Sequence, residues 1–317
     1  MNPCPGNRIS LVDYLVSHGW KPSRDCGRDE VAGLCPLHRE TRPSFYVNRR
    51  KQVFYCHGCG RGGGIAQIRH WLEGRSFETT PPADDAELLE QTYQFFERQL
   101  QRCPEARAYL RQRGVYDPNL IERMRIGYAP GASLRAHLTG CGYHSSAIRQ
   151  AGLIDSFGRD RLFRCITFPL EEAGSLYGRA IDNDVWRHRF LPRCKGGLYG
   201  WRRAPLFQSL IVVEGLFDLA ALWQAGFPQA VALLGSHASP AQMAQLKQRC
   251  GSRVHLCLDA DKNGAGQTAV HGLSARLRQA GVEVLRVQLP SGQDPASLFA
   301  AGLSGQDFQR YLERARS

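Results

Sequence analysis

Glu214 and the triplet Asp259-Ala260-Asp261 each close a short apolar run, Leu210-Ile211-Val212-Val213 and Val254-His255-Leu256-Cys257-Leu258 respectively. Carboxylates gathered in one place repel one another unless a divalent cation neutralises them. An all-oxygen donor set suits Mg²⁺ or Mn²⁺. A plainer reading is that each acid caps the helix following its strand, and for Asp261 alone that reading is the stronger. For Glu214, Asp259 and Asp261 together metal binding is favoured. Both runs read as buried strands of a parallel sheet, and ligand crevices open at the carboxyl ends of such strands.

A second metal chemistry is written in Cys35-x-x-His38 and Cys56-x-x-Cys59, two ligand pairs with 17 residues between them. Three thiolates and one imidazole can close a tetrahedral Zn²⁺ site, the competing reading being unrelated buried thiols and a surface histidine. Phe45-Tyr46-Val47 and Val53-Phe54-Tyr55 alternate as hairpin strands would, returning the second pair to the first. His57 competes as a ligand, but a residue between two pair members rarely faces the same ion. The site has no open position, so its role is structural. The run from Gly58 to Gly64 reads as the turn around that metal, leading into a helix over Ile65–Leu72. No G-x-x-x-x-G-K-[ST] occurs, which excludes a P-loop ATPase.

Between Arg159 and Arg203 basic residues outnumber acidic ones, and Phe163, Phe168, Tyr177, Trp186, Phe190, Tyr199 and Trp201 are interleaved among them. Arginines neutralise phosphates and aromatic rings stack on bases, which suits a single-stranded nucleic-acid groove or a nucleoside-triphosphate site. Most of those aromatics are expected in the core and many charges on a solvated face. Arg159, Arg161, Arg179 and Lys195 are the first candidates for ligand contact.

These groups need elements to hold them. The chain has 317 residues, 43% of them hydrophobic, enough for two or three modest cores. Lys plus Arg total 41 against 29 Asp plus Glu, a formal charge of +12 that points to a polyanionic partner. No apolar stretch is long enough to cross a bilayer and the N-terminus shows no signal-peptide core, so no membrane role and a cytoplasmic location are expected. Eleven cysteines in a large chain of this kind read as reduced thiols and metal ligands. Thr79-Thr80-Pro81-Pro82-Ala83-Asp84-Asp85 reads as a linker. It divides a metal-binding domain (1–78) and linker (79–87) from a mixed α+β basic subdomain (88–205) and an α/β subdomain (206–317). Helical spacing runs from Ala86, with a second helix over Glu105–Arg113. Beyond residue 205, strands at 210–214, 230–234, 254–259 and 282–289 alternate with helices at 216–225, 240–249 and 267–280. That order predicts a parallel, doubly wound sheet.

Three pieces of the chain resemble the bacterial DnaG-type primases. Gly33-Leu34-Cys35-Pro36-Leu37-His38 through Pro43-Ser44-Phe45, with Phe54-Tyr55-Cys56-His57-Gly58-Cys59-Gly60, resembles the family's CHC2 zinc domain. Asp160-Arg161-Leu162-Phe163-Arg164-Cys165-Ile166-Thr167-Phe168-Pro169-Leu170, Leu176-Tyr177-Gly178-Arg179 and Lys195-Gly196-Gly197-Leu198-Tyr199-Gly200 are similar to its polymerase core. Val213-Glu214-Gly215-Leu216-Phe217-Asp218, Asp259-Ala260-Asp261 and Gln293-Asp294-Pro295 look like a Toprim metal site. The resemblance spans nearly the whole chain, in family order. It implies an α/β (α+β overall) protein: a zinc-ribbon-like domain, a basic subdomain and a Toprim parallel-sheet subdomain. It further implies RNA primer synthesis on single-stranded DNA from ribonucleoside triphosphates, with one structural Zn²⁺ and catalytic Mg²⁺ or Mn²⁺. Glu214, Asp259 and Asp261 would hold the catalytic ions, Asp218 and Asp294 would support them, and a replicative helicase would be a further partner. Ala296 stands where the family often has an acid. The chain ends soon after the Toprim sheet, which implies a compact form without the helicase-binding domain. The competing readings are a Toprim nuclease, a topoisomerase-like strand cleaver and a catalytically silent DNA-binding accessory protein.

Overall fold

The alternation at residues 45–47 and 53–55 becomes a hairpin in a computed structural model that describes all residues except 1–9, 28, 39, 60, 73–82, 171–172, 183–186, 193–195, 236, 249–252, 259–264 and 317. The chain divides into two units, residues 1–78 with 192–194, and residues 79–191 with 195–317. In the first, helix α1 (Leu11–Ser17) is followed by β1 (Pro22–Gly27), β2 (Glu30–Gly33), β3 (Phe45–Asn48), β4 (Val53–Cys56), β5 (Gly62–Gly63) and α2 (Ile65–Leu72). The Ser10 hydroxyl accepts from the Asp13 N–H and starts α1. The strands form one antiparallel sheet in sequence order. Its inner face, with Val31, Phe45, Val47 and Phe54, packs on Leu11, Leu15, Trp20 and Ile68. The period of two sends Tyr46 and Tyr55, paired across β3 and β4, to the other face.

The second unit opens with α3 (Ala83–Arg102), α4 (Pro104–Gln112), α5 (Pro118–Arg123), β6 (Gly127–Ala129), α6 (Leu134–Gly140), α7 (Ser145–Gln150), β7 (Cys165–Leu170), β8 (Ser175–Ala180) and β9 (His188–Phe190). Helix α3 begins inside the segment expected as linker, so residues 83–87 are helical. Prolines just ahead of a helix are compatible with its first turn, where N–H groups lack partners anyway. Leu88, Leu89, Tyr93, Phe96 and Leu100 are buried, as the helical spacing predicts. Strands β6 to β9 form an antiparallel sheet in that order.

After a 3₁₀ turn at Trp201–Leu206 come β10 (Ser209–Val213), α8 (Leu216–Gln224), β11 (Ala230–Ala232), α9 (Pro240–Lys247), β12 (Arg253–Cys257), α10 (Ala265–Gln279), β13 (Glu283–Arg286), α11 (Pro295–Ala300) and α12 (Gly305–Glu313). The strands pair in parallel in the order β11-β10-β12-β13. The chain leaves β10 toward one edge and β12 toward the other. The switch point, where α/β sheets hold ligands, therefore lies at the carboxyl ends of β10 and β12. A common core joins the two sheets: Ile166, Phe168 and Tyr177 meet Ile211, Val213 and Phe217, with the Phe168 and Phe217 rings edge to face at 5.4 Å. Among the described residues no helix is long and apolar enough to cross a membrane.

Candidate zinc centre and carboxylate site

Cys35, His38, Cys56 and Cys59 each offer a ligand atom, and these atoms lie within 4.8 Å of one another. Cys35 Sγ is 4.0 Å from Cys59 Sγ, and His38 turns Nδ1 toward Cys56 Sγ at 3.8 Å. Hydrogen bonds from Cys35 and Cys59 pull the Cys56 thiol down to about 2, while the bond to Cys56 pushes Cys35 far above its usual range. A thiolate is thus favoured among the donors, and the thiolate is the form that ligates metal. Three sulfurs and one imidazole, half-buried or buried and converging on one point, fit a structural Zn²⁺. His57 stays out of the cluster and meets Tyr46 and Tyr55 edge-on at 5.2 Å and 4.9 Å. Gly58 serves this metal turn by close approach, since a Cβ there would lie 2.7 Å from His38 Nε2 and 2.6 Å from Ser44 Oγ.

Glu214 follows β10 directly, and Val213 pairs with Cys257, the last residue of β12. The parallel register sets Glu214 beside the buried Leu258, the residue before Asp259. Asp259 and Asp261 themselves lie outside the described residues, as does Lys195. Asp218 is 5% exposed in the first turn of α8. Its Oδ2 accepts from the Gly215 N–H at 3.1 Å and its Oδ1 from the Ala296 N–H at 3.1 Å. Asp294 caps α11, its Oδ1 accepting from the Ser297 N–H at 2.6 Å. Asp218 therefore fastens the first turn of α11 to the start of α8, next to Glu214, while Asp294 caps α11.

Arg179 on β8 lines a cavity of about 220 Å³ with Tyr109, Gln112, Arg113, Asp182 and Arg187. Its Nη1 donates to His188 Nε2 at 2.6 Å, leaving the imidazole proton on Nδ1 to donate to the Tyr177 hydroxyl at 2.9 Å. Arg113 lies over the Phe217 ring at 5.2 Å, and its buried Nε has no hydrogen-bond partner among the described residues. Arg159 and Arg161 are not among the described residues lining this cavity. The Arg159 guanidinium is committed to Asp155 at 2.8 Å, and Arg161 is exposed on the loop ahead of β7.

Two family models match the sequence: a CHC2 zinc finger over residues 7–92 and a Toprim-like domain over residues 211–299. The DNA primase of Clostridium acetobutylicum is 29% identical across 97% of this chain. The fold matches the crystal structure of the zinc-binding and RNA polymerase domains of Aquifex aeolicus primase, with TM-score 0.65, 25% identity and coverage of 97% of this chain and 83% of that one. A DnaG primase catalytic domain bound to single-stranded DNA matches 73% of this chain and 80% of its own, with TM-score 0.60 and 26% identity. The chain is a relative of the DnaG-type primases. It spans 57% of the length of the Clostridium primase.

Within this primase relative, several residues escape a motif-based reading. Glu40 accepts from the N–H groups of Cys35 and Ser44 beside the zinc cluster. Arg113 carries no motif, because its surroundings arise only when α4 meets β8 and α8. Asp160, inside a segment read as basic, accepts from the N–H groups of Ser133 and Leu134 and caps α6. A signal for Tyr46 and Tyr55 was present in the hairpin alternation, which puts them on the face opposite Phe45 and Phe54.

Proposed function

We propose that this chain is a DNA primase, a DNA-directed RNA polymerase that makes short RNA primers on single-stranded DNA during replication. The observation that carries the proposal is the position of Glu214 at the switch point of a parallel sheet, in register with the strand that runs into Asp259 and Asp261. Glu214, Asp259 and Asp261 are the residues to hold Mg²⁺ or Mn²⁺. Bound there, such ions would supply charge stabilisation and lower the pKa of a hydroxyl. Asp218 and Asp294 support the acids by fixing the backbone around them.

In the proposed reaction the 3′-oxygen of one ribonucleotide bonds to the α-phosphorus of the next, and the bond from that phosphorus to the bridging oxygen breaks. Pyrophosphate leaves, and the hydroxyl proton goes to solvent. Arg113, Arg179 and Lys195 would neutralise the triphosphate, Arg113 and Arg179 from the cavity that they line together. Tyr46, Tyr55 and His57, on the outer face of the zinc unit's sheet, offer rings on which template bases can stack. The DnaG structure bound to single-stranded DNA supports that choice of template. A replicative helicase partner is part of the same proposal.

The test incubates the protein with single-stranded DNA, labelled ribonucleoside triphosphates and Mg²⁺ or Mn²⁺, then sizes the products. Wild type yields short RNA, and Asp259→Ala yields no dinucleotide while binding single-stranded DNA within about twofold of wild type. Undiminished synthesis by Asp259→Ala overturns the assignment of the acids. DNA cleavage without ribonucleotide incorporation would instead identify a nuclease.

A further inference from the structure

We propose that Glu40 is a positioning residue for the zinc centre: it holds His38 in the tautomer that ligates through Nδ1 and locks the two ligand loops together. The proposal rests on the cysteine–histidine cluster alone and is independent of nucleotidyl transfer.

The side chain of Glu40 is 11% exposed, and both its oxygens are engaged. Oε1 accepts from the Cys35 N–H at 2.7 Å and from the Ser44 N–H at 3.1 Å. Oε2 accepts from the Ser44 hydroxyl and lies 3.2 Å from His38 Nε2. A carboxylate only accepts, so the tautomer that Glu40 favours carries its proton on Nε2 and presents a bare Nδ1 to the cluster. That nitrogen is the one facing Cys56 Sγ. Carboxylate partners of this kind fix ring orientation and raise ligand basicity, and losing one costs roughly 10–100-fold in metal affinity.

The same carboxylate reaches the second ligand pair through Ser44. Ser44 Oγ stands 3.2 Å from Cys56 Sγ and accepts from the Gly58 N–H at 3.1 Å. The Ser44 carbonyl accepts from the His57 N–H at 2.8 Å. Glu40 thereby connects the Cys35–His38 loop, the Cys56–Cys59 loop and the backbone beneath His57. Loss of the carboxylate should loosen both loops around the ion, so that zinc leaves faster.

The test compares full-length zinc-loaded wild type, Glu40→Gln and Ser44→Ala. Zinc release into excess 4-(2-pyridylazo)resorcinol is followed by absorbance, and the ring nitrogens of His38 are assigned by long-range ¹H–¹⁵N correlation. Glutamine keeps the size but turns an N–H₂ or a less basic oxygen toward the imidazole. Expected is release roughly 10–100-fold faster from Glu40→Gln, a smaller acceleration from Ser44→Ala, and a protonated Nε2 in wild type. Release from Glu40→Gln within twofold of wild type overturns the proposal. So does wild-type His38 protonated on Nδ1, a measurement that stands even where the variant loads no zinc.

Discussion

The half-buried side chain of Arg113, with its buried Nε, sets apart what it does for folding from what it does for binding. A guanidinium nitrogen without a partner in a buried site weakens the fold, since its hydration is lost and nothing replaces it. Arg113→Ala should therefore shift the denaturation midpoint little, because losing the contact with the Phe217 ring offsets the gain from removing that nitrogen. The same variant should raise the KM for ribonucleoside triphosphate by roughly 10–100-fold, the worth of one charge-assisted bond to phosphate. A lowered midpoint with an unchanged KM would make Arg113 a packing residue. Asp218 predicts the reverse pattern. Removing its carboxylate orphans the N–H groups of Gly215 and Ala296, so Asp218→Ala should cost about 2–4 kcal/mol in urea denaturation. Neither behaviour is legible in the sequence. Asp218 reads there as one acid among several, because its partners are backbone groups 3 and 78 positions away.

Among the elements, α3 is tied to the turn before β6 by one arginine. Arg125 gives Glu90 two bonds, at 2.7 Å and 2.8 Å, and Glu97 one at 2.7 Å. The Arg125 bond holds the Glu90 carboxyl below its ordinary value. A depressed carboxylate contributes stability that is present above its unfolded pKa and lost as pH falls through the folded one. Arg125→Gln should thus cost about 0.5–1 kcal/mol at pH 7, modest because Glu90 is partly exposed, and the deficit should shrink as pH falls through the depressed Glu90 value. Chemical denaturation at pH 7 and pH 3 checks this, and an equal deficit at both values would assign the effect to packing. Elements of this kind were readable where burial dictates pattern. Strands β10 and β12 are buried on both faces, so their runs end at or one residue past the strand ends, in each case directly ahead of the acid, Glu214 or Asp259. The start of α3 was not readable, since Pro81-Pro82 and two acids have the composition of a linker and equally suit a helix entrance. The strand order β11-β10-β12-β13 also lies beyond sequence, because periodicity identifies strands but not their neighbours.

For the molecule as a whole, the two units draw stability from different sources. The second unit buries three clusters around two sheets and their helices, which is core enough for an independent fold. Among its described residues the first buries a single cluster centred on Phe45 and Phe54, in a size range where natural folds commonly add a metal. Two of its strands end at or beside zinc ligands, β4 at Cys56 and β2 two residues before Cys35, so the ion closes the sheet at one end. Without it, three thiols and an imidazole crowd together at that end of the sheet with no ion to bind them. Ligand deprotonation, metal binding and folding of this unit are then one equilibrium. Hydrogen exchange on the intact chain should report it directly. Treatment with excess chelator should remove amide protection from β2, β3 and β4 while β7, β10 and β12 keep theirs. If β3 and β4 stay protected after zinc is shown to be gone, the ion is not what holds the sheet together. If β10 and β12 lose protection with them, the two units do not fold independently.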